Sequence, residues 1–316
     1  MGKNMKDIGG YIETNFNYDD GHCYHDDAVA LNSGQAALRY IIRVKHITDI
    51  WAPYFTCPTV WKACIAEGAD LHLYHIGEDF MPTIEIDENA YVIYTNYFGV
   101  FGKNMSAMRA KYKNLISDNT MSFFSKCTNP AFYSARKFIA VPDGGYASGV
   151  SNDLCSELPY EESWSRGLHL LKRLDADSGF GYSDALKNEE YLASADVKQM
   201  SKLTHHILEH TNYDEIIHRR RENFAFLAGV LGGGGALPMD VANDVVPMHY
   251  PYLCVDDNLR NRLIKNHIFI PQYWGGMEEQ NASSFERWLK QYIHALIVDQ
   301  RYSITDMERI VDIVKG

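Results

Sequence analysis

The chain has 316 residues, of which 46% are hydrophobic and 22% charged, a composition typical of a globular protein of roughly two domains. Its net charge of -11 at pH 7 argues against broad nucleic-acid binding, because such binding needs a basic face. No apolar run approaches a membrane span, the N-terminus lacks the apolar core of a signal peptide, and the six cysteines show no zinc-binding spacing. We therefore expect a cytoplasmic protein without membrane contact or a metal site.

The first recognisable element is a helix that begins at Asn32-Ser33-Gly34. Ser33 or Asn32 can cap it, and apolar residues follow at helical spacing. A helix that begins with serine, glycine and small residues presents free N–H groups and the positive end of its dipole, which together suit a phosphate group. An ordinary capped helix gives the same pattern.

Strands and helices then alternate along the chain. We predict strands at residues 49–54, 71–76, 90–95 and 115–117, with helices at 59–67 and 103–112. This alternation indicates a largely parallel sheet with helices on its faces, in which ligands bind at the carboxyl ends of the strands. Asp118 follows the last of these strands and is a candidate site residue, with a helix cap or turn as its alternative role.

Residues 131–147 place a lysine among apolar side chains. The pattern predicts a strand, then Lys137, then a short strand at 138–141 and a tight turn at Pro142-Asp143-Gly144-Gly145. Ser134 lies three residues before the lysine. An amine held among apolar residues loses its charge more readily and becomes a better nucleophile, which is how Schiff-base lysines are made. A lysine on an edge strand that reaches water is the alternative.

The chain then becomes helical, with helices predicted at residues 161–173, 185–193 and 196–231. His205, His206 and His210 include a pair four residues apart, but the sequence shows no third metal ligand, which favours a polar helix face. Gly232 begins a four-glycine linker that we predict to separate a large domain at residues 1–231, with an N-terminal arm, from a small domain at 236–316.

The small domain is predicted to be α/β. Strands are expected at residues 252–255 and 268–270 and helices at 258–266, 285–292 and from Thr305 onward. The apolar run at residues 295–298 predicts a further strand whose end faces the cleft between the domains. Arg301 lies just beyond it and is a candidate for binding a substrate carboxylate or phosphate, because its fixed fork of donors matches these anions. An ion pair with Asp299 or Asp306 is the alternative.

The helix start at Ser33, the strand-end Asp118 and the lysine at 137 form the set of parts that pyridoxal phosphate (PLP) chemistry needs. A lysine holds the aldehyde, a carboxylate keeps the pyridine nitrogen protonated, and a helix N-terminus with a hydroxyl holds the phosphate.

Six motifs, in this order, resemble those of the DegT/StrS-type sugar aminotransferases, which have the aspartate aminotransferase-like fold. They are N-S-G-Q-A-A-L from Asn32, A-P-Y-F-T-C-P-T-V from Ala52, Y-T-N-Y-F-G from Tyr94, I-S-D-N-T from Ile116, S-A-R-K with D-G-G-Y from Ser134, and M-S-K-L from Met200. The resemblance implies a large domain with a mostly parallel sheet flanked by helices and a smaller C-terminal α/β domain. It also implies a homodimer with its active sites near the interface.

The resemblance implies roles for individual residues. Lys137 corresponds to the Schiff-base lysine and Asp118 to the partner of the pyridine nitrogen. The other cofactor-binding residues are the phosphate cradle and the residues against the ring, namely Ser33, Gly34, Gln35, Ser134, Cys57 and Thr120. Asn96 and Tyr97 are candidate substrate contacts. The activity implied is amino transfer from an amino acid to a keto sugar, often nucleotide-linked, in surface-polysaccharide or related biosynthesis.

The chain departs from the family pattern at positions around the ring. Cys57 stands where an aromatic residue usually stacks on the pyridine, and Met121 stands where glutamine or histidine is usual. These departures motivate an alternative function, a catalytically silent homologue that binds PLP or a sugar as a regulatory or scaffold protein.

Overall fold

The computed structural model describes residues 21–176, 179–232, 237, 239 and 245–316. They form an α/β fold with a seven-stranded sheet and a two-stranded sheet. The expected N-terminal arm and most of the four-glycine linker lie outside the described residues, so the domain boundary stays a prediction.

The large sheet consists of seven strands from the first half of the chain. They are β1 (Val29–Leu31), β2 (Asp49–Pro53), β3 (Asp70–Tyr74), β4 (Tyr91–Thr95), β5 (Asn114–Asp118), β6 (Ala131–Ser134) and β7 (Gly145–Ser148). Their order across the sheet is β1-β7-β6-β5-β4-β2-β3, and β7 alone among them runs antiparallel to its neighbours. The central strands β4 and β5 are largely buried, as expected of parallel strands covered on both faces. The predicted fold class is therefore confirmed.

Helices cover this sheet and form much of the second half of the chain. They are α1 (Gly34–Val44), α2 (Pro58–Ala66), α3 (Gly102–Lys111), α4 (Leu168–Asp175), α5 (Tyr182–Ser194), α6 (Lys202–Glu209), α7 (Tyr213–Leu231), α8 (Leu259–Lys265), α9 (Ser284–Tyr292) and α10 (Ile304–Lys315). The apolar face of α1, including Leu38, Ile41 and Ile42, is buried and packs on β6 and β7.

The C-terminal part of the described chain is built on an antiparallel pair of strands, β8 (His249–Leu253) and β9 (Ile293–Ile297). Helix α7 packs against β8 and α10, so the last helix before the glycine linker contacts the small sheet. Within the described residues, no helix combines the length and apolar character that crossing a bilayer requires.

Two predicted strands are wrong. Residues 138–141 follow a short 3-10 turn at Ala135–Lys137 and form no strand, and residues 268–270 are also irregular. Their apolar side chains, such as Phe138 and Ile268, are buried by packing without a neighbouring strand to pair with. Apolar composition signals burial in both segments, but it does not by itself specify an extended backbone.

Two of the predicted helices of the second half differ from expectation, whereas α5 extends beyond the predicted 185–193 at both ends. The helix placed at 161–173 begins only at Leu168, and the one at 196–231 is split into α6 and α7. Gln199 instead forms isolated bridges with Leu31 and Tyr160, and the side chains of Ser201 and Asn212 cap the two separate helices. Serine and asparagine favour helix starts over helix interiors because their side chains bond to nearby backbone amides.

Candidate active site

The parallel strands of the large sheet all end at the same edge, and the candidate residues follow those ends. β1 leads to Ser33, β2 to Cys57, β5 ends at Asp118, and β6 ends at Ser134, three residues before Lys137. Since β7 is antiparallel to both β1 and β6, these two strands are parallel to each other. The topology therefore brings distant sequence positions to one place.

A pocket of about 150 Å³ lies at this edge. It is lined by seven of the predicted cofactor-binding residues, namely Ser33, Gly34, Gln35, Cys57, Thr120, Ser134 and Lys137. The remaining one, Asp118, is 2% exposed and lies just behind Thr120. The structure thus brings the predicted cofactor-binding residues together at one small pocket.

Lys137 is linked to Asp118 through Thr120. The Lys137 Nζ lies 2.9 Å from Thr120 Oγ1, and the Thr120 backbone amide donates to Asp118 Oδ1 at 3.0 Å. The other carboxylate oxygen of Asp118 accepts the Thr95 hydroxyl at 3.1 Å. Two donors hold this buried carboxylate in one orientation, while its remaining lone pairs can accept a further donor.

The N-terminus of α1 forms one wall of the pocket. Ser33 caps the helix, its hydroxyl oxygen accepting from the Ala36 amide at 3.0 Å. The amides of Gly34 and Gln35 lie in the first turn, where a helix offers no carbonyl partner. These amides and the Ser33 and Ser134 hydroxyls are the donors that a small anion requires.

Glycine is required beside this helix start because two backbones approach closely. A Cβ at Gly145 would lie 2.3 Å from the Ser33 carbonyl and 2.5 Å from the Gly34 nitrogen. At Gly34 itself, a Cβ would lie 3.2 Å from both the Thr120 methyl group and the Tyr133 carbonyl oxygen. Gly145, predicted from the sequence as a turn residue, therefore also lets the start of β7 pass close to the backbone at Ser33 and Gly34.

We expect Gly145→Ala to destabilise the protein by about 3 kcal/mol or more, because the new methyl group meets rigid backbone and not a movable side chain. Chemical denaturation measures this change. The matched control is Gly229→Ala in α7, where the added Cβ has no atom of the described residues within 4 Å beyond the adjacent backbone of its own helix. That variant should be more stable by up to about 1 kcal/mol, since alanine is the better helix former. A Gly145→Ala protein as stable as the parent would contradict the packing described.

The turn after Lys137 is fixed from outside by α6. The buried carboxylate of Asp143 accepts the Ser201 amide at 2.9 Å, the Ser201 hydroxyl at 2.6 Å and the Thr204 hydroxyl. The Asn188 amide group donates to the Pro142 carbonyl at 2.7 Å. Helices α5 and α6 thus hold the loop that carries Lys137.

Several pocket residues were not found from the sequence. Arg136 forms an ion pair with Glu189 of α5, and both side chains line the pocket together with Leu192 and Ala193. The position of Arg136 next to Lys137 was a usable signal. Nothing in the sequence indicated that α5 lies next to Lys137, because that contact depends on how the helices pack.

Asn96 and Tyr97, the candidate substrate contacts, do not line this pocket. Asn96 is buried, and its side-chain oxygen accepts the Phe101 amide at 3.1 Å. Tyr97 is also buried, and its hydroxyl donates to the Phe55 carbonyl at 2.9 Å. Both residues have structural roles in the loop after β4, and a role in substrate binding stays a prediction.

Arg301 lies in another pocket, of about 340 Å³, which Arg173 and Arg309 also line. Its guanidinium binds Asp299 through two bonds of 2.9 and 2.7 Å, as in the alternative interpretation of the sequence. Burial opposes ionisation of Asp299, but the adjacent Arg301 outweighs it and leaves the pKa of this carboxyl below its usual value. Strand β9 ends at Ile297, four residues earlier, so Arg301 lies in the loop before α10. Its role as a substrate anchor stays a prediction.

Comparison with known proteins connects this geometry to one fold. Neither a family model nor a curated protein matches the sequence. Among solved structures, the chain is similar to the sugar aminotransferase CalS13 from Micromonospora echinospora, at 15% identity and a TM-score of 0.59 over 92% of this chain and 87% of that one. It is also similar to the PLP form of Spr1654 from Streptococcus pneumoniae, at 13% identity and a TM-score of 0.64 over 91% and 86% of the two chains.

A third similar structure is a DegT/DnrJ/EryC1/StrS aminotransferase from Brucella abortus, at 14% identity and a TM-score of 0.59 over 92% and 85% of the two chains. The chain therefore has the fold of the sugar aminotransferases along nearly its whole described length. At these identities the likeness establishes the fold, and the resemblance seen in the motifs is confirmed at that level.

Proposed function

We propose that this protein is a PLP-dependent aminotransferase that transfers an amino group from an amino acid to a keto sugar, with Lys137 as its catalytic residue. The observation that carries the proposal is the placement of the Lys137 amine. It lies in one pocket with an anion-binding helix start, and Thr120 connects it to a buried carboxylate. The fold shared with sugar aminotransferases supports the same conclusion.

The residues present fit the cofactor. Its phosphate would be held by Gly34, Gln35, Ser33 and Ser134. Because residue 145 is glycine, no Cβ collides with the backbone of Ser33 and Gly34 at this helix start. Asp118 would hold the pyridine nitrogen, because a buried carboxylate that keeps spare lone pairs can accept that N–H. PLP supplies an electron-accepting ring when bound.

Lys137 would serve both as the covalent attachment point and as the group that moves a proton at its Nζ. Thr120 positions this amine through the contact of 2.9 Å. Among the described residues, no carboxylate lies within ion-pair distance of Lys137, so its amine is not held by a competing charge. A positioned amine can act as a general base and acid in turn.

Cys57 leaves one face of the pocket without an aromatic ring. Its sulfur accepts the Thr59 hydroxyl at 3.1 Å. A thiol gives less contact area than an aromatic side chain. We therefore propose that cofactor retention depends mainly on the phosphate cradle, Asp118 and Lys137.

The proposal is tested by adding PLP to the purified protein, recording the visible spectrum and then reducing with borohydride. We expect a chromophore that borohydride removes, with the cofactor mass on the peptide that contains Lys137. In a separate, unreduced sample, glutamate or aspartate should convert the bound cofactor to its amine form in a single turnover. A chromophore that no amino donor alters would favour the silent homologue, and the absence of any chromophore would contradict cofactor binding.

We further propose that two copies associate through α4 and α5. None of the residues of α4 is buried, and leucines at positions 168, 171 and 174 form an apolar stripe that is 47%, 63% and 84% exposed. Trp164, Phe180 and Tyr182, which flank α4 in the sequence, are also exposed. Exposed apolar side chains grouped on a helix without buried residues are typical of an interface, and α5, which packs against α4, also lines the pocket.

Sedimentation at micromolar concentration should show a dimer for the parent protein and a monomer for Leu171→Asp combined with Leu174→Asp, because two buried carboxylates would oppose association. Val255→Asp is the matched control, since this exposed residue lies outside α4 and α5. It should leave the dimer intact. A monomeric parent protein that still binds PLP would contradict the proposal.

A further inference from the structure

Three potential metal ligands project from one face of α6 and its C-terminal end. They are His206, Glu209 and His210, at positions i, i+3 and i+4 of a helical turn. One ligand atom from each lies within 4.8 Å of the others. The two histidines alone appear in the sequence as a polar helix face, and the structure adds Glu209 as the third ligand.

The hydrogen bond of His210 settles which of its nitrogens can bind a cation. Its Nδ1 lies 2.7 Å from the His206 carbonyl oxygen. A carbonyl oxygen can only accept, so Nδ1 donates to it, and Nε2 is the nitrogen that a cation would bind. A backbone carbonyl that fixes the tautomer of a histidine is the usual arrangement behind a metal ligand.

The neighbouring groups are compatible with a cation at this position. The imidazole rings of His206 and His210 have centroids 4.2 Å apart, so a small rotation of these side chains aligns their nitrogens. One oxygen of Glu209 lies 3.4 Å from His205 Nδ1, which leaves the other oxygen for the cation. Tetrahedral zinc holds its ligand atoms about 3.3 Å apart, within reach of rotations by surface side chains.

We propose that His206, Glu209 and His210 form a binding site for a zinc ion. Two imidazoles and one carboxylate suit zinc better than magnesium or calcium, which prefer oxygen ligands alone. His206 and Glu209 also line an open cleft, together with Lys202 and Tyr160, so water or a small anion could complete the coordination of the ion.

Zinc at this site would act on the loop that carries Lys137. A metal ion that bridges positions i and i+4 stabilises the helix between them, and α6 holds Asp143 through Ser201 and Thr204. Binding should therefore raise the melting temperature of the protein. The inference does not depend on PLP chemistry.

A second cluster provides the matched control. His72 lies close to Asp49 and Asp70, with one imidazole and two exposed carboxylates. Because this cluster has a single nitrogen ligand, we expect it to bind zinc more weakly than the site on α6 does.

The test is calorimetric titration of zinc chloride into the chain without a histidine tag, after chelator treatment and dialysis. We expect one zinc ion per chain with micromolar or tighter affinity, and a melting temperature that rises with zinc concentration. His210→Ala and Glu209→Gln should each weaken binding by at least about tenfold. His72→Ala should leave it unchanged. Absence of saturable binding, full affinity in His210→Ala, or loss of binding in His72→Ala would each overturn the proposal.

Discussion

Replacement of Lys137 by alanine should abolish the borohydride-reducible chromophore and reduce amino transfer by at least on the order of 10²–10⁴-fold, from lost proton transfer alone. The described structure gives this side chain a single hydrogen bond, to Thr120, and leaves it half-buried. Its removal should therefore lower the free energy of unfolding by only about 1 kcal/mol. A large loss of amino-transfer activity with a small decrease in the free energy of unfolding distinguishes a reactive residue from a structural one.

Lys62→Ala is the matched control for this experiment. Lys62 is exposed on α2, the helix whose first turn borders the same pocket. It should retain the chromophore, because its amine lies on the surface. If Lys137→Ala keeps the chromophore and the peptide map places the cofactor on another lysine, the assignment of Lys137 is wrong.

Replacement of Asp118 by asparagine should slow single-turnover amino transfer by on the order of 100-fold or more, because a neutral amide cannot keep the ring nitrogen protonated. The fold should tolerate the change. The asparagine oxygen can still accept from the Thr120 amide, and its NH₂ group can donate to the Thr95 hydroxyl.

Thr95→Val distinguishes the charge of Asp118 from its orientation. This variant removes one hydrogen bond from the carboxylate and leaves the charge in place. We expect a smaller loss of rate than in Asp118→Asn, together with a loss of stability of about 1 kcal/mol. A parental single-turnover rate in Asp118→Asn would rule out the proposed role of the carboxylate.

The sequence predicted the parts of the site that depend on local chemistry. Ser33 caps α1 as the serine-glycine pattern indicated, and Asp118 ends β5 as the apolar strand pattern indicated. Parallel strands end at one edge, so the strand-end residues converge without any further information. This is why residues separated by much of the large sheet could be assigned to one pocket.

Parts that depend on packing could not be predicted. The segment after Lys137 is apolar and buried, yet it forms an irregular loop and pairs with none of the described strands. Glu189 lines the pocket because α5 packs beside it. No spacing of residues in the sequence predicts that packing. The bond between Arg301 and Asp299 was one of two open alternatives, since their separation of two residues permits it without requiring it.

The pairing of β1 with β7 also constrains the order in which the protein folds. β1 joins the sheet through β7, with Leu31 opposite Gly145. The strand that leads to Ser33 therefore pairs with a segment that lies far along the chain. Closing such a long loop is slow, because its entropy must be overcome before the contacts form. We therefore expect the N-terminus of α1 to reach Lys137 only at a late stage of folding. Recovery of cofactor binding after dilution from denaturant should consequently lag behind recovery of helical circular dichroism.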